Sequence, residues 1–155
     1  AHLIGQAPLR FRTAVLRNPV CNLATMVGAT DIPDWCYVEA FGQGCQPYNS
    51  VPPPADLERM FEVSPAYHID KVKVPTLFLL GAKDRRVPAV DPIQYARALR
   101  ARNLEARVVM FPEDTHALSG VQTEYEGWLT IVGWLRRHII VENELGDLVF
   151  DETEE

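Results

Sequence analysis

Several features that mark whole classes of protein are missing from this sequence. No apolar run approaches the ~18 residues of a membrane-spanning helix, and no basic and apolar leader stands at the start. The formal net charge is −6, and lysine and arginine form no cluster that would mark a phosphate-binding face. We therefore expect neither a membrane nor nucleic acid as a partner, and we expect the protein in the cytoplasm.

Cysteine and histidine are few and scattered. Cys21, Cys36 and Cys45 form no Cys-x-x-Cys pair, and the four histidines lie far apart in the chain. This spacing argues against a zinc site, and we expect no metal or other cofactor. A cysteine could in principle act as a nucleophile paired with His116, although a buried cysteine is usually a small apolar core residue. Free thiols fit a reducing cytoplasm.

The segment 74–88 is the stretch around which the chain is organised. Its apolar run, Thr76 to Leu80, fits a strand that is buried on both faces of a parallel sheet. Asp84 follows just past the carboxyl end of that strand, where ligands and catalytic groups gather in open α/β sheets. Another apolar strand, Ala106 to Phe111, is followed by His116 in the same way. An acid and then a histidine are the last two-thirds of the Ser–Asp–His order of α/β-hydrolases.

The remaining segments alternate between strand and helix patterns. They predict a strand over 11–16, loops over 30–35 and 41–54, and helices over 1–6, 22–28, 55–62, 91–102 and 121–140. Asn22 and Asp91 fit helix caps. In the last helix, apolar residues recur at helical spacing: Val121, Tyr125, Trp128, Leu129, Val132, Leu135 and Ile139. This order predicts an α/β protein whose parallel strands are joined by crossovers.

A nucleophile is harder to find than an acid and a base. Ser50, Ser64 and Ser119 are the only serines, and none stands in the Gly-x-Ser-x-Gly elbow that the hydrolase order requires. Ser64 and Ser119 fit cap or turn positions instead. From position alone, Asp84 could equally be a solvated turn residue, and His116 could be a loop or helix-start residue. The sequence therefore holds a candidate acid and base without a nucleophile.

Three segments carry a resemblance to a known family. They read Ala-Thr-Asp-Ile-Pro-Asp-Trp-Cys (29–36), Leu-Leu-Gly-Ala-Lys-Asp-Arg-Arg-Val-Pro (79–88) and Phe-Pro-Glu-Asp-Thr-His-Ala-Leu-Ser (111–119). They resemble the acylaminoacyl-peptidases of the prolyl oligopeptidase family, and the likeness extends over residues 2–140. It implies an α/β-hydrolase catalytic domain preceded by a β-propeller. It also implies a homo-oligomeric serine exopeptidase that releases N-acylated, typically N-acetylated, amino acids from short peptides.

The resemblance also implies roles for individual residues. Asp84 matches the triad aspartate, His116 the triad histidine, and Arg86 the position that binds a substrate carbonyl. A guanidinium suits that last task because it is always charged and presents several donors. Arg86 could instead form a surface salt bridge, and Trp35 could line the acyl-amino-acid pocket or pack in the core.

The likeness divides the chain into residues 1–141, the C-terminal part of a hydrolase domain, and residues 142–155, an acidic tail. Residues 2–6 resemble the helix after the family's nucleophile elbow, so we expect the serine a few residues upstream of Ala1. The propeller and the early strands would be missing too, and the chain alone should be inactive. Its first strand would expose an unpaired edge, which predicts poor behaviour in isolation. The tail fits a solvated segment or an apolar-acidic docking segment.

Two other interpretations stay open. The missing serine favours a non-enzymatic, truncated module that binds a partner through its bare sheet edge or its tail. Alternatively, the parent could be another serine hydrolase of the same fold, such as a dipeptidyl peptidase or an esterase.

Overall fold

A three-stranded parallel sheet forms the centre of the computed structural model, which describes residues 1–44 and 51–139. The acidic tail, Cys45 and Ser50 therefore lie outside the described residues. The elements are α1 (His2–Gln6), β1 (Ala14–Arg17), α2 (Leu23–Met26), α3 (Pro33–Phe41), α4 (Pro54–Glu62), a 3-10 helix (Pro65–Lys71), β2 (Thr76–Gly81), α5 (Val90–Ala101), β3 (Ala106–Phe111) and α6 (Val121–Ile139).

The strand order β1-β2-β3 places the carboxyl ends of the three strands side by side. Arg17 pairs with Leu79, and Gly81 pairs with Phe111, in parallel register. In a parallel sheet every strand ends at the same edge, so the loops that follow β1, β2 and β3 start next to one another. Among the described residues, β1 pairs with β2 alone and forms one edge of the sheet.

Strand β2 is buried on both faces, as its sequence predicted. Phe78 and Leu80 belong to a core cluster that includes the buried residues of α5. Leu77 and Leu79 point the other way, because side chains alternate along a strand, and they join a cluster that includes α6. Burying each of these side chains contributes about 1.5–3 kcal/mol. The sheet is thus held between α5 on one side and α6 on the other.

The predicted elements agree with the structure except in the N-terminal half. Strand β1 starts at Ala14, three residues later than expected, and the Asn22 side chain caps α2 by accepting a bond from the Ala24 N–H at 3.0 Å. Helix α3 was missed, because Pro33 was interpreted as a loop residue. Proline lacks the N–H that the first helical turn leaves unpaired, so it begins this helix instead.

The prediction that Asp91 caps α5 was wrong. The helix begins one residue earlier, at Val90, and no side chain caps it. The buried Asp91 carboxylate instead accepts bonds from the N–H groups of Cys21 at 2.8 Å and Asn22 at 3.3 Å. Burial raises the pKa of Asp91, because the charged form is poorly solvated there. Its carboxylate therefore ties α5 to the start of α2.

Helix α6 turns a different face to the sheet from the one that its spacing indicated. Gly127 and Trp134 are buried, and Ile131 and Leu135 pack beside them. Most of the predicted apolar set is exposed: Val121, Tyr125, Trp128, Leu129, Val132 and Ile139. The helix carries two apolar faces, and periodicity shows which residues share a face but not which face meets the sheet. In the part of the chain that is described, no helix has the length and apolar character needed to cross a membrane.

Candidate active site

Asp84 lies in the loop that follows β2, with its side chain fully buried. One carboxylate oxygen, Oδ1, accepts bonds from the backbone N–H groups of Arg86 at 2.8 Å and Val87 at 2.9 Å. These donors stand two and three residues further along the chain, so the loop itself orients the carboxylate. Backbone N–H groups offset the cost of burying the charge and leave the second oxygen free for another partner.

That partner is His116, in the loop after β3. Its Nδ1 lies 2.9 Å from Oδ2 of Asp84, and its side chain is 48% exposed. With Nδ1–H donating to the carboxylate, Nε2 is the nitrogen that can accept a proton. The structure thus brings together the two residues that the strand order placed at one edge of the sheet.

The loop that carries His116 packs closely against the end of β2. A Cβ atom at Gly81 would lie 2.4 Å from the carbonyl oxygen of Thr115 and 2.7 Å from that of Asp114, far inside contact distance. Glycine is therefore needed here because another backbone approaches it. The sequence showed Gly81 only as the end of a strand.

Leu118 anchors the same loop from its other side. Its side chain is 1% exposed within the cluster that joins β2 to α6, and its φ is 50°. A bulky residue seldom adopts positive φ, and the left-handed conformation costs about 1–2 kcal/mol. Core burial holds the residue in this conformation two positions after His116. Strain at this point is consistent with a loop whose shape matters.

Asp114 connects the loop to the start of α6. Its Oδ1 accepts a bond from the Gly120 N–H at 3.2 Å, and its Oδ2 accepts one from the Thr123 hydroxyl. The hydrogen bond from Thr123, assisted by backbone donors, lowers the pKa of Asp114 because it stabilises the charged carboxylate. The loop is thus fastened at both ends.

Asn18 is a site residue that sequence reasoning missed. Its buried side chain donates to the carbonyl oxygens of Thr115 at 3.2 Å and His116 at 2.8 Å, and it accepts from the Gly81 N–H at 2.9 Å. A signal was available: Asn18 is a polar residue directly after a strand that runs parallel to β2.

Arg86 projects from the Asp84 loop with a half-exposed side chain. Its Nε lies 3.2 Å from Oδ1 of Asp31, and its carbonyl oxygen accepts a bond from the Thr30 hydroxyl at 2.7 Å. The Asp31 N–H also donates to the Arg85 carbonyl oxygen at 3.0 Å. Arg86 thus forms the surface salt bridge that was one of its two predicted roles. Its partner, Asp31, belongs to the Thr-Asp-Ile-Pro-Asp-Trp segment.

An open cavity of about 410 Å³ lies beside Asn18, Arg86 and His116. Its polar border is formed by Asn18, Arg86 and His116, and its apolar wall by Val20, Met26, Ile32, Trp35 and Val87. Trp35 also packs against the core cluster of α2, α3 and α4, so it contacts both the core and the cavity. A mainly apolar cavity with a few polar groups at one end is typical of small-ligand sites.

Three of the candidate nucleophiles, Ser64, Cys21 and Cys36, do not fit the site. Ser64 is fully buried, with its hydroxyl donating to the Met60 carbonyl and accepting from the Leu23 N–H at 2.8 Å. Burial raises the pKa of Cys36 to about 12 and that of Cys21 well above its usual value, so both thiols stay protonated near neutral pH. Within residues 1–44 and 51–139, no group of three or more histidine, cysteine or acidic residues could hold a metal.

The arrangement has the chemistry of a general base without its nucleophile. A buried carboxylate fixes the tautomer of a half-exposed imidazole and can stabilise the imidazolium that forms on proton transfer. A hydroxyl placed near Nε2 would be activated for attack on a carbonyl carbon. A guanidinium on the same cavity can donate to a carbonyl oxygen of a bound molecule.

Comparison with known proteins connects this geometry to a family. A model of the prolyl oligopeptidase family matches residues 1–141. The acylamino-acid-releasing enzyme of Arabidopsis thaliana is 53% identical over 137 residues, which are 88% of this chain and 18% of that protein. The enzyme of that name from Homo sapiens is 47% identical over 141 residues, 89% of this chain and 19% of that protein.

A solved structure shows the same fold. The orthorhombic form of Pyrococcus horikoshii acylaminoacyl peptidase matches with a TM-score of 0.72 and 19% identity, over 88% of this chain and 21% of that one. The chain spans about a fifth of the length of the curated relatives it matches.

Proposed function

Since the chain belongs to the prolyl oligopeptidase family, we propose that it supplies the acid and the base of a serine peptidase site that releases N-acylated amino acids from short peptides. Its parallel sheet and flanking helices are the C-terminal portion of an α/β-hydrolase fold, as the sequence predicted. The relatives that are 53% and 47% identical are acylamino-acid-releasing enzymes, which favours acylated peptides as the substrate class.

The single observation that carries the proposal is the contact between Asp84 and His116 at 2.9 Å, beside the cavity of about 410 Å³. In this proposal a serine from a segment outside the 155 residues attacks the substrate carbonyl. His116 Nε2 takes the serine proton and then gives it to the leaving amine. Asp84 holds the ring through Nδ1 and stabilises the imidazolium. The β-propeller and the early strands would belong to the same longer polypeptide.

Arg86 is proposed to bind a carbonyl oxygen of the substrate. Its guanidinium borders the cavity together with His116, and within residues 1–44 and 51–139 its side chain bonds Asp31 through Nε only. The apolar wall, which includes Trp35 and Ile32, would receive the acyl group or the first side chain. An acyl group suits such a wall because it carries no charge, whereas a free ammonium would be poorly solvated there.

The test uses a full-length protein that contains this chain, called the full-length peptidase below. Acetyl-Ala-Ala-Ala and free Ala-Ala-Ala are compared as substrates, for the wild type and for His116→Ala. We expect acetylalanine release from the acetylated peptide and a rate loss of roughly 10³-fold or more in the variant. Faster cleavage of the free peptide would point to a dipeptidyl peptidase or a related hydrolase instead.

A non-enzymatic module is the second candidate, favoured by the absence of a Gly-x-Ser-x-Gly elbow from these residues. Sequencing the transcript upstream of the Ala1 codon separates the two. An in-frame elbow a few codons earlier supports the peptidase, and a start codon or unrelated sequence there supports the module.

A homo-oligomeric parent, a cytoplasmic location and a domain boundary near residue 141 complete the proposal. The match of the family model ends at residue 141, and the two buried free thiols fit a reducing compartment. Light scattering of the full-length peptidase and cell fractionation test the first two points. Limited proteolysis tests whether the segment 142–155 is removed first.

A further inference from the structure

Asn18 joins the ends of all three strands of the described sheet. It follows β1 directly, its Oδ1 accepts from the N–H of Gly81 at the end of β2, and its Nδ2 donates into the loop after β3. The two carbonyl oxygens that it holds belong to Thr115 and His116. The amide side chain is therefore bonded to the two peptide units that flank the Cα atom of His116.

These bonds use the donor capacity of the side chain in full. An amide carries two N–H donors and one carbonyl oxygen. One donor is available for Thr115, the other for His116, and the oxygen is engaged by Gly81. Although Asn18 borders the cavity, no N–H remains to bind a substrate. The bonds that the side chain does make all lie within the sheet edge and the loop that carries the histidine.

The backbone of Asn18 is adapted to this task. Its φ is 38°, a value that L residues rarely adopt and that asparagine tolerates better than most. Its own N–H still donates to the Leu79 carbonyl at 3.0 Å, so the bend falls at the last rung between β1 and β2. Asn103 offers a contrast, since it has a φ of 61° but is exposed and ends helix α5.

We propose that Asn18 is a positioning residue that holds the peptide units of Thr115 and His116 against Gly81, so that the imidazole meets the Asp84 carboxylate. The inference rests on the proposed function. Without the amide, two inward-facing carbonyl oxygens and one buried N–H lose their partner, and the loop can move away from Gly81. A shift of about 1 Å at a catalytic group can cost roughly 100-fold in rate.

The experiment compares Asn18→Gly, Asn18→Asp and the control Asn103→Gly in the full-length peptidase. Glycine accepts the positive φ and removes only the side-chain bonds. Aspartate keeps the acceptor for Gly81 but has no donor for the two carbonyl oxygens. Asn103→Gly makes the same exchange at a positive φ far from the site. The separate values of kcat and KM and the rate of labelling by a fluorophosphonate probe are measured.

We expect both Asn18 variants to lower kcat and the labelling rate by roughly 10- to 100-fold, with KM within about twofold, and Asn103→Gly to behave as the wild type. Asn18→Asp adds a carboxylate beside the two carbonyl oxygens, whereas Asn18→Gly adds no charge, so agreement between the two variants separates loss of the donor bonds from an effect of charge.

Three outcomes overturn the inference. Wild-type kinetics in either Asn18 variant would mean that the donor bonds do not position His116, and a change confined to KM would mean substrate contact. If Asn18→Gly fails to fold, Asn18→Asp decides alone.

A wild type that the probe labels, but that releases no acetylalanine, refutes the proposed substrate class while the labelling rates still test Asn18. A wild type that the probe does not label refutes both.

Discussion

The loops that carry Asp84 and His116 are positioned in different ways. The Asp84 carboxylate is oriented by N–H groups two and three residues away in the same loop, at 2.8 and 2.9 Å. The His116 loop has local bonds too, through Asp114, but it is also held by groups that lie far away in the chain. It rests on Gly81, is bonded by Asn18 from 98 residues away, and is anchored in the core by Leu118.

This difference shows that the acid is prepared by local turn chemistry and the base by tertiary packing. A turn of a few residues reforms its own hydrogen bonds wherever it is placed. A loop that is held from three directions keeps its shape only while all of its neighbours stay in place. Substitutions near Asp84 should therefore change chemistry, whereas substitutions near His116 should change geometry and stability together.

The largest effect should come from Asp84→Asn, which changes the carboxylate that the local turn orients. Its amide oxygen can keep the bonds from Arg86 and Val87, but the amide nitrogen then faces His116 Nδ1 and favours the wrong tautomer. We expect kcat of the full-length peptidase to fall by about 10⁴-fold. Acetylalanine release measures this. A loss below tenfold would show that Asp84 does not orient the base.

Gly81→Ala disturbs the long-range packing of the His116 loop against the end of β2. The new methyl group would meet the Thr115 carbonyl oxygen at 2.4 Å, so the loop has to move. We expect destabilisation by about 1–3 kcal/mol and a fall in kcat of roughly 100-fold. Thermal unfolding and kinetics are both measured.

Gly133→Ala is the matched control for that substitution. It lies within α6, where an added methyl group meets nothing within 4 Å. Alanine in a helix should be neutral or stabilising by up to about 1 kcal/mol, with unchanged kinetics. Equal effects of the two substitutions would contradict the close packing of the His116 loop.

Asp114→Asn tests whether the carboxylate that fastens the His116 loop makes the stability of the fold depend on pH. The pKa of Asp114 is lowered in the folded protein, so its carboxylate stabilises the fold above the ordinary value of 3.8. That contribution is lost as pH falls through the depressed pKa. We expect the melting temperature of the wild type to exceed that of the variant near neutral pH and the gap to close below the ordinary value. A gap that is independent of pH would rule out this carboxylate as the cause.

The smallest effect should come from Asp31→Asn, which removes an exposed ion pair with Arg86. Pairs of this kind contribute at most about 1 kcal/mol, so KM should rise by no more than about fivefold and stability should hardly change. High salt should narrow the difference between the wild type and the variant, because salt screens exposed charges. A large loss of kcat with KM unchanged would mean that Asp31 acts on the chemistry itself.

The sequence predicted more of this site than of the scaffold that supports it. The runs 76–80 and 106–111 predicted their strands because most of their residues are apolar or β-branched. Asp84 and His116 come shortly after them in the chain. Asp91 was mistaken for a cap, since an acid before a proline looks the same whether it caps its own helix or another one. Gly81 and Asn18 had ordinary local explanations as strand-ending residues.

The sequence alone predicted the strand and helix segments of an α/β arrangement and the order of acid and base, because both follow from residue patterns along the chain. Tertiary structure decided which face of α6 meets the sheet, why residue 81 must be glycine and what holds the His116 loop. Those outcomes depend on contacts between residues that lie tens of positions apart. Local periodicity and turn preferences do not predict such contacts, because these contacts form only when the three strands lie side by side.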